Sequence, residues 1–413
     1  MNRQEGLFET LNQIAHDNYD GSGTIVTVAK IREILNPALL SIALQKVQNE
    51  QPLLRATVKK SKDEYFFAID KQPEYLPLLN NGNTAQVAWQ VIAEQEYHFH
   101  FEHSAYQWHL RFIIENSASI LILTTAHNIA DGISVAHFFH RLLKHYGDEN
   151  LPLFNFELLT SVESLLTHYK RDEYSSPVDF VKTPFFYNQS VPIGSRQVRN
   201  SYHTLSTVQT QKIIDFTKQN EMTVNELFNA ALLIGLAKFR DQEINITTHT
   251  PVNLRSLCQP SVTLDYFGCY ISVLTCYHSS VTPQDGLVKL AKVYRHLLAA
   301  QLSLNQMILP AKFSKTDLKQ AIEGWIGNTA LQQFPGGVMV SNIGALSFES
   351  DYNGIHWDEL YFGTSRQGGD FIIILNVLTL SEQVMLCFNY ADPLLRPDEA
   401  NIIIQYFLEL ISC

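Results

Sequence analysis

Ile120-Leu121-Ile122-Leu123-Thr124-Thr125-Ala126-His127-Asn128-Ile129-Ala130-Asp131-Gly132-Ile133-Ser134-Val135 is the run on which the reading of this chain turns. Its opening residues, Ile120 to Thr125, are apolar and β-branched, as a buried strand requires. The pattern from Val135 to Tyr146 has helical period. A histidine, an aspartate and a glycine are therefore expected on a short strand-to-helix turn. The strand end fixes His127, and Gly132 is expected to give the backbone a conformation closed to other residues. A general base presented at the end of a rigid element suits this arrangement.

Upstream of this run, residues 5–18 read as a short helix and Thr24 to Ile31 as a strand entered from Gly21-Ser22-Gly23. Asn36 is the expected N-cap of the next helix, with Pro37 at its first position and Leu39, Leu40, Ala43, Leu44 and Val47 on one face. Pro52 stops it. Leu53 to Val58 reads as a strand that hairpins into Glu64 to Ile69. A helix is expected from Thr84 to Glu96. Tyr97-His98-Phe99-His100-Phe101-Glu102-His103 invites a metal reading, but alternation puts His98 and His100 on one strand face and His103 on the other. A half-buried strand or turn is the default. Strands Trp108 to Glu115 and Ser119 to Thr125 lead into the central run.

Downstream, residues 147–200 are rich in turn formers, including Ser175-Ser176-Pro177 and Pro192-Ile193-Gly194-Ser195, with a helix near 160–170. This stretch reads as an interdomain connection. The expected division is an N-terminal subdomain over residues 1–180, a linker over 181–200 and a C-terminal subdomain over 201–413. The second half opens with a strand near Val198 to Leu205. Ser206-x-x-Gln209 and Thr223-x-x-Glu226 are capping boxes that start two helices. Strands follow at Ile244 to Pro251, Ile271 to Tyr277 and Gly337 to Gly344, the last ending in a turn. A helix covers 284–301, a hairpin joins 371–379 to 383–390, and a helix from Asp398 to Ile411 closes the chain. Irregular alternation of strands and helices indicates α/β or α+β with mixed sheets.

The net charge of −11 argues against a nucleic-acid partner, which needs a basic face. No apolar run reaches transmembrane length, and Met1-Asn2-Arg3-Gln4-Glu5-Gly6 lacks the order of a secretory signal. Cys258, Cys269, Cys276, Cys387 and Cys413 are odd in number and scattered. They read as reduced thiols of a cytoplasmic protein, buried as small hydrophobes, with a catalytic cysteine as the alternative. No phosphate-binding glycine loop appears. Neither Gly132-Ile133-Ser134-Val135-Ala136 nor Gly363-Thr364-Ser365-Arg366-Gln367 completes G-x-S-x-G, so a serine hydrolase is not indicated.

His127-x-x-x-Asp131-Gly132 resembles the H-x-x-x-D-G signature of the CoA-dependent acyltransferase superfamily. That group holds chloramphenicol acetyltransferase, condensation domains and polyketide-associated alcohol acyltransferases. Leu39-Leu40-x-x-Ala43-Leu44, Gln51-Pro52-Leu53-Leu54-Arg55, Val252-Asn253-Leu254-Arg255, Phe267-Gly268 and Val340-Ser341-Asn342-Ile343-Gly344 resemble further stretches of the superfamily, in order. The sequence departs from many relatives in having Ala126 where a first histidine stands, and it lacks D-F-G-W-G.

The resemblance implies two chloramphenicol-acetyltransferase-like sandwich domains with mixed sheets and an active-site tunnel between them. It also implies acyl transfer from a thioester, on coenzyme A or an acyl-carrier protein, to a hydroxyl of a small molecule or lipid. His127 would be the general base. Asp131 would pair with Arg255 and hold the loop rather than join a triad. Gly132 would either leave space for the acyl or pantetheine arm or only permit the turn. Ser341 or Asn342 would donate to the oxyanion, or cap a turn. No metal or tightly bound cofactor is implied; coenzyme A or phosphopantetheine would belong to the donor. An amide-forming condensation-type enzyme and a non-catalytic, carrier-binding or scaffold member of the fold are the alternatives.

Overall fold

In the computed structural model the described residues are 2–62, 64–80, 87–170, 172, 179–308 and 332–412. The chain forms two compact units that interleave in sequence. One comprises Met1–Thr167, Asn253–Ile271 and Ala345–Ser365; the other comprises His168–Val252, Ser272–Gly344 and Arg366–Cys413. The sequence suggests a single division between 180 and 201. Instead, two pieces of the second half of the chain complete the first unit.

The first unit opens with β1 (Asn2–Gln4), α1 (Leu7–Asn18), β2 (Thr24–Ile31) and α2 (Pro37–Glu50). Asn36 caps α2 as expected, its side-chain oxygen accepting from Ala38 N and Leu39 N at 2.8 and 3.4 Å. Pro52–Arg55 then forms a 3-10 turn, so the next strand, β3, spans Ala56–Ser61 rather than starting at Leu53. Proline fits the first position of a helical turn, which satisfies the Leu54 N–H locally instead of in a ladder. β4 (Glu64–Ile69), β5 (Leu78–Asn80), α3 (Trp89–Glu96), β6 (Trp108–Glu115) and β7 (Ala118–Ala126) follow. The expected helix start at Thr84 lies outside the described residues. α4 (Gly132–Gly147) and a short α5 (Val162–Leu165) complete this stretch.

The second unit carries β8 (Gln197–Thr204), α6 (Thr207–Gln219), α7 (Val224–Arg240), β9 (Ile244–Asn253), β10 (Ile271–Val281), α8 (Leu287–Ser303) and β11 (Val338–Ala345). β12 (Trp357–Thr364) returns to the first unit and pairs antiparallel with β2. β13 (Ile373–Leu380) and β14 (Gln383–Asp392) make the expected hairpin, and α9 (Pro397–Ile411) ends the chain.

The first unit's main sheet has the order β12-β2-β7-β6-β5, with β1-β4-β3 as a separate small sheet. All nine residues of β7 are buried, as the continuous apolar text requires of a central strand covered on both faces. α4 sends Val135, Phe138, Phe139, Leu142 and Leu143 into the core. Burial of each such side chain stabilises by about 1.5–3 kcal/mol. The second unit's sheet has the order β10-β9-β11-β13-β14-β8, with β11 parallel to β9. Its core is organised by α7, in which residues 227–237 are all buried. Both capping boxes form, Ser206 with Gln209 and Thr223 with Glu226.

Thr223 Oγ1 accepts from Glu226 N at 3.2 Å at the start of the most buried helix. Thr223→Ala should lower the stability of the second unit by about 1 kcal/mol, read as a reduced urea midpoint.

Candidate active site

The backbone at His127 is tied on both sides. β7 ends at Ala126, whose N–H donates to Gln107 O at 2.9 Å, and the His127 N–H donates to Gly23 O at 2.8 Å. Gly23 has φ +85°, a conformation that side chains disfavour, so glycine is required where β2 is entered. An Ile129 N–H bond to Ala126 O at 3.2 Å then closes the turn.

His127 is buried, at 6% exposure. Its Nδ1 lies 2.7 Å from the Ala130 carbonyl oxygen. A carbonyl oxygen only accepts, so Nδ1 carries the hydrogen, and the neutral ring holds its lone pair on Nε2. Phe8 of α1 stands edge-on to the ring at 6.2 Å between centroids. The Cys269 sulfur is 3.8 Å from Nδ1.

Asn128 fixes the turn to α1. Its side-chain amide donates to Gln13 Oε1 at 2.6 Å and Glu5 Oε1 at 3.2 Å. Burial, reinforced by the neighbouring Glu9, pushes the Glu5 carboxyl well above the ordinary range.

Asp131 fixes the turn from the other side. Oδ1 caps α4 by accepting from Ser134 N at 2.8 Å, and Oδ2 accepts from Tyr270 N at 2.9 Å. Arg255 donates to both oxygens, Nη1 to Oδ2 at 2.8 Å and Nη2 to Oδ1 at 3.1 Å. Both side chains are buried, at 1% and 0% exposure. Burial alone would raise the Asp131 pKa; the Arg255 charge and these hydrogen bonds outweigh it and hold the carboxyl below its ordinary value. Arg255 also donates to Ser134 Oγ at 2.8 Å and lies 4.7 Å over the Tyr270 ring. Ser134 Oγ donates to Gly268 O at 2.7 Å and accepts from Gly268 N at 3.0 Å. A triad aspartate would accept from the histidine Nδ1–H. Here that hydrogen goes to a backbone carbonyl, and the aspartate binds an arginine.

Gly132 is the first residue of α4, which starts earlier than Val135 because Asp131 caps it. Its backbone is therefore right-handed helical, which corrects the expectation of a conformation reserved for glycine. Ser341 and Asn342 belong to β11 in the second unit. The strand runs on through them instead of ending there. Asn342 Oδ1 accepts from Gly344 N at 2.8 Å, with Gly344 at φ +83°, so the capping role is filled by Asn342.

The sequence assigns no role to Ser134, Tyr270 or Ala130, and Gln51 enters only as the first residue of the stretch Gln51-Pro52-Leu53-Leu54-Arg55. Asp131 before the helical pattern is an N-cap residue type, and that alone could point to a bond with the Ser134 N–H. The thiols of Cys258 and Cys276 are pushed up by burial to about 11 and about 12, and that of Cys269 is raised well above its usual value for the same reason. All three stay protonated at neutral pH, which counts against a catalytic thiolate. His103 pairs with Asp17 at 3.0 Å, and His100 packs 4.7 Å from the buried His16. The segment 97–103 forms a turn-rich loop, not a strand, and no cluster of metal-ligating side chains occurs among the described residues. No helix among them is long and apolar enough to cross a membrane.

Residues 194–358 match the family described as "Phthiocerol/phthiodiolone dimycocerosyl transferase C-terminus". Phthiocerol/phthiodiolone dimycocerosyl transferases of Mycobacterium sp. (strain JLS) and Mycobacterium sp. (strain MCS) are 29% identical over 106 residues. The match spans 24% of this chain and only 24% of each relative. Solved structures match over nearly the whole length. Polyketide synthase associated protein 5 from Mycobacterium tuberculosis aligns with TM-score 0.70 at 15% identity, over 99% of this chain and 98% of that one. The chain has the CoA-dependent acyltransferase fold. TRI3 trichothecene 15-O-acetyltransferase from Fusarium sporotrichioides gives TM-score 0.73 at 12% identity, over 100% and 95%. The starter condensation domain of rhizomide synthetase RzmA, a mutant in complex with C8-CoA and Leu-SNAC, gives 0.70 at 15%, over 100% and 94%. The acyltransferase fold accounts for the mixed sheets expected from the sequence.

Removing one partner of the Asp131–Arg255 pair leaves a buried charge uncompensated. Asp131→Asn and Arg255→Ala should each cost about 3–5 kcal/mol, seen as loss of soluble protein. Asp131 has a folded pKa below its unfolded value of about 3.9. Its contribution is therefore complete above that value and is lost as pH falls through the folded pKa. The gap in urea midpoint between wild type and any soluble Asp131→Asn should narrow below about pH 4.

Proposed function

We propose that the chain is an acyltransferase that moves an acyl group from a thioester to a hydroxyl, with His127 as general base. The observation that carries this reading is the bond from Nδ1–H to Ala130 O. It commits the ring to the tautomer whose Nε2 can accept a proton. The acceptor oxygen attacks the thioester carbonyl as Nε2 takes its proton, giving a tetrahedral oxyanion. Collapse expels the thiolate, which takes the proton back from Nε2. The products are an ester and a free thiol, and the ring returns to its starting state.

Coenzyme A or an acyl-carrier protein is the proposed thioester carrier, and a small-molecule or lipid alcohol the acceptor. The RzmA complex with C8-CoA and the acetyltransferase named for a 15-O position support this choice by analogy of fold. Asp131 and Arg255 position the loop. Ser341 is favoured over Asn342 as the oxyanion donor. Side chains alternate along a strand, and Val338 and Val340, which share Asn342's parity, lie in the hydrophobic core of their unit. Ser341 is on the opposite face.

Thiol release from acyl-thioesters of graded chain length, on coenzyme A and on a carrier protein, tests the reading. The assay uses pooled alcohols and amines as acceptors. His127→Ala should lower the rate by about 10²–10⁴-fold. Unchanged turnover in that variant would overturn His127 as the base. Competing alcohols against amines for one donor separates ester formation from amide formation; ester product is expected.

A further inference from the structure

We propose that Gln51 is a positioning residue: it sets the register of residues 265–270 and, through Cys269, the placement of the His127 ring. The Gln51 backbone is fixed twice. It caps α2, donating to Val47 O at 3.2 Å, and accepts from Leu54 N at 3.1 Å in the 3-10 turn begun by Pro52. The residue is 3% exposed. Its Nε2 donates to Asp265 O at 2.8 Å, and its Oε1 accepts from Phe267 N at 3.2 Å. The amide thus grips the backbone of residues two apart on one edge, as a neighbouring β-strand would.

The far end of the loop is held by Ser134 at Gly268 and by Asp131 at Tyr270. Between these anchors, Cys269 touches the imidazole at Nδ1. When the bonds at Asp265 and Phe267 are lost, this end of the loop keeps the long Arg255 bond to Tyr266 O at 3.3 Å; the anchors at Gly268 and Tyr270 stay in place, and the play gained at Phe267 is passed through Gly268 to the Cys269 sulfur. The ring, still flanked by Phe8, then gains room to tilt away from Ala130 O, and a fraction of the molecules loses the fixed lone pair on Nε2. Displacements of about 1 Å at a reacting group cost about 10²-fold in rate.

Two variants test this. Gln51→Met keeps length and removes both bonds. Gln51→Glu keeps a donor and an acceptor while protonated, but as a carboxylate it has only acceptors and opposes Asp265 O. The kinetic arm rests on the acyltransferase reading. For Gln51→Met, kcat should fall by about 10–100-fold with KM for the acyl-thioester nearly unchanged. The ratio of Gln51→Glu to wild-type kcat should climb as pH is lowered from about 8 to about 5, as the introduced carboxyl protonates. The second arm needs no turnover: ¹⁵N NMR of histidine-labelled protein, with His127 assigned from the His127→Ala spectrum. Wild type should show the single Nδ1–H form of His127, and Gln51→Met a mixture of tautomers. An unaltered His127 signal in a folded Gln51→Met overturns the proposal, whatever the assay shows. If Gln51→Met is insoluble, a His127 signal and a kcat in Gln51→Glu that both follow wild type at every pH overturn it. A mixed-tautomer signal in Gln51→Met, together with no thiol release by wild type, upholds Gln51 and rejects the acyltransferase reading.

Discussion

The buried ion pair of Asp131 and Arg255 is the constraint on which the rest of the site depends. Neither charge is tolerable in the interior alone, because desolvation costs several kcal/mol per ion. Each is therefore surrounded by further partners. Asp131 accepts from the N–H groups of Ser134 and Tyr270, and Arg255 donates to the Ser134 hydroxyl. These contacts have fixed directions, which apolar packing lacks. They bind the turn after β7, the short 3-10 turn Arg255–Leu257 and the loop through Tyr270 into one rigid body inside the first unit. His127 takes its orientation from that body.

Support of His127 by a carbonyl instead of a carboxylate has a chemical meaning in the proposed reaction. A buried carboxylate at Nδ1 would stabilise the imidazolium and favour its persistence. A peptide dipole stabilises it less while still fixing the tautomer. A thiolate leaving group suits such a base, because thiols have pKa values of about 8.5 and leave without prior protonation. The proton on Nε2 need be held only for the life of the tetrahedral species.

Local signals were legible in the sequence wherever the physics is local. The Asn36-Pro37 helix start, the two capping boxes and the strands Thr24–Ile31 and Glu64–Ile69 lie where side-chain pattern and cap chemistry place them. The start of α4 did not, because glycine after aspartate reads as a turn until the cap bond to Ser134 is seen. β12 was missed. Asp358 and Glu359 interrupt its apolar text, and the strand it pairs with, β2, lies near the other end of the chain. The pairing of Asp131 with Arg255 came from resemblance, and the geometry agrees with it. The roles of Ser134 and Gln51 depend on partners 134 and 216 residues away, so no window along the sequence contains them.

The interleaving of the two units also orders events in time. Arg255 follows Asp131 by 124 residues. At ribosomal rates of about 5–20 residues per second, that is about 6–25 s during which the aspartate exists without its counterion. β12, which completes the first unit's sheet beside β2, is made later still. The N-terminal stretch thus leaves the ribosome with an uncovered sheet edge and an unpaired carboxylate. The first unit reaches its final form only when most of the second has been synthesised, so the two mature together instead of one after the other.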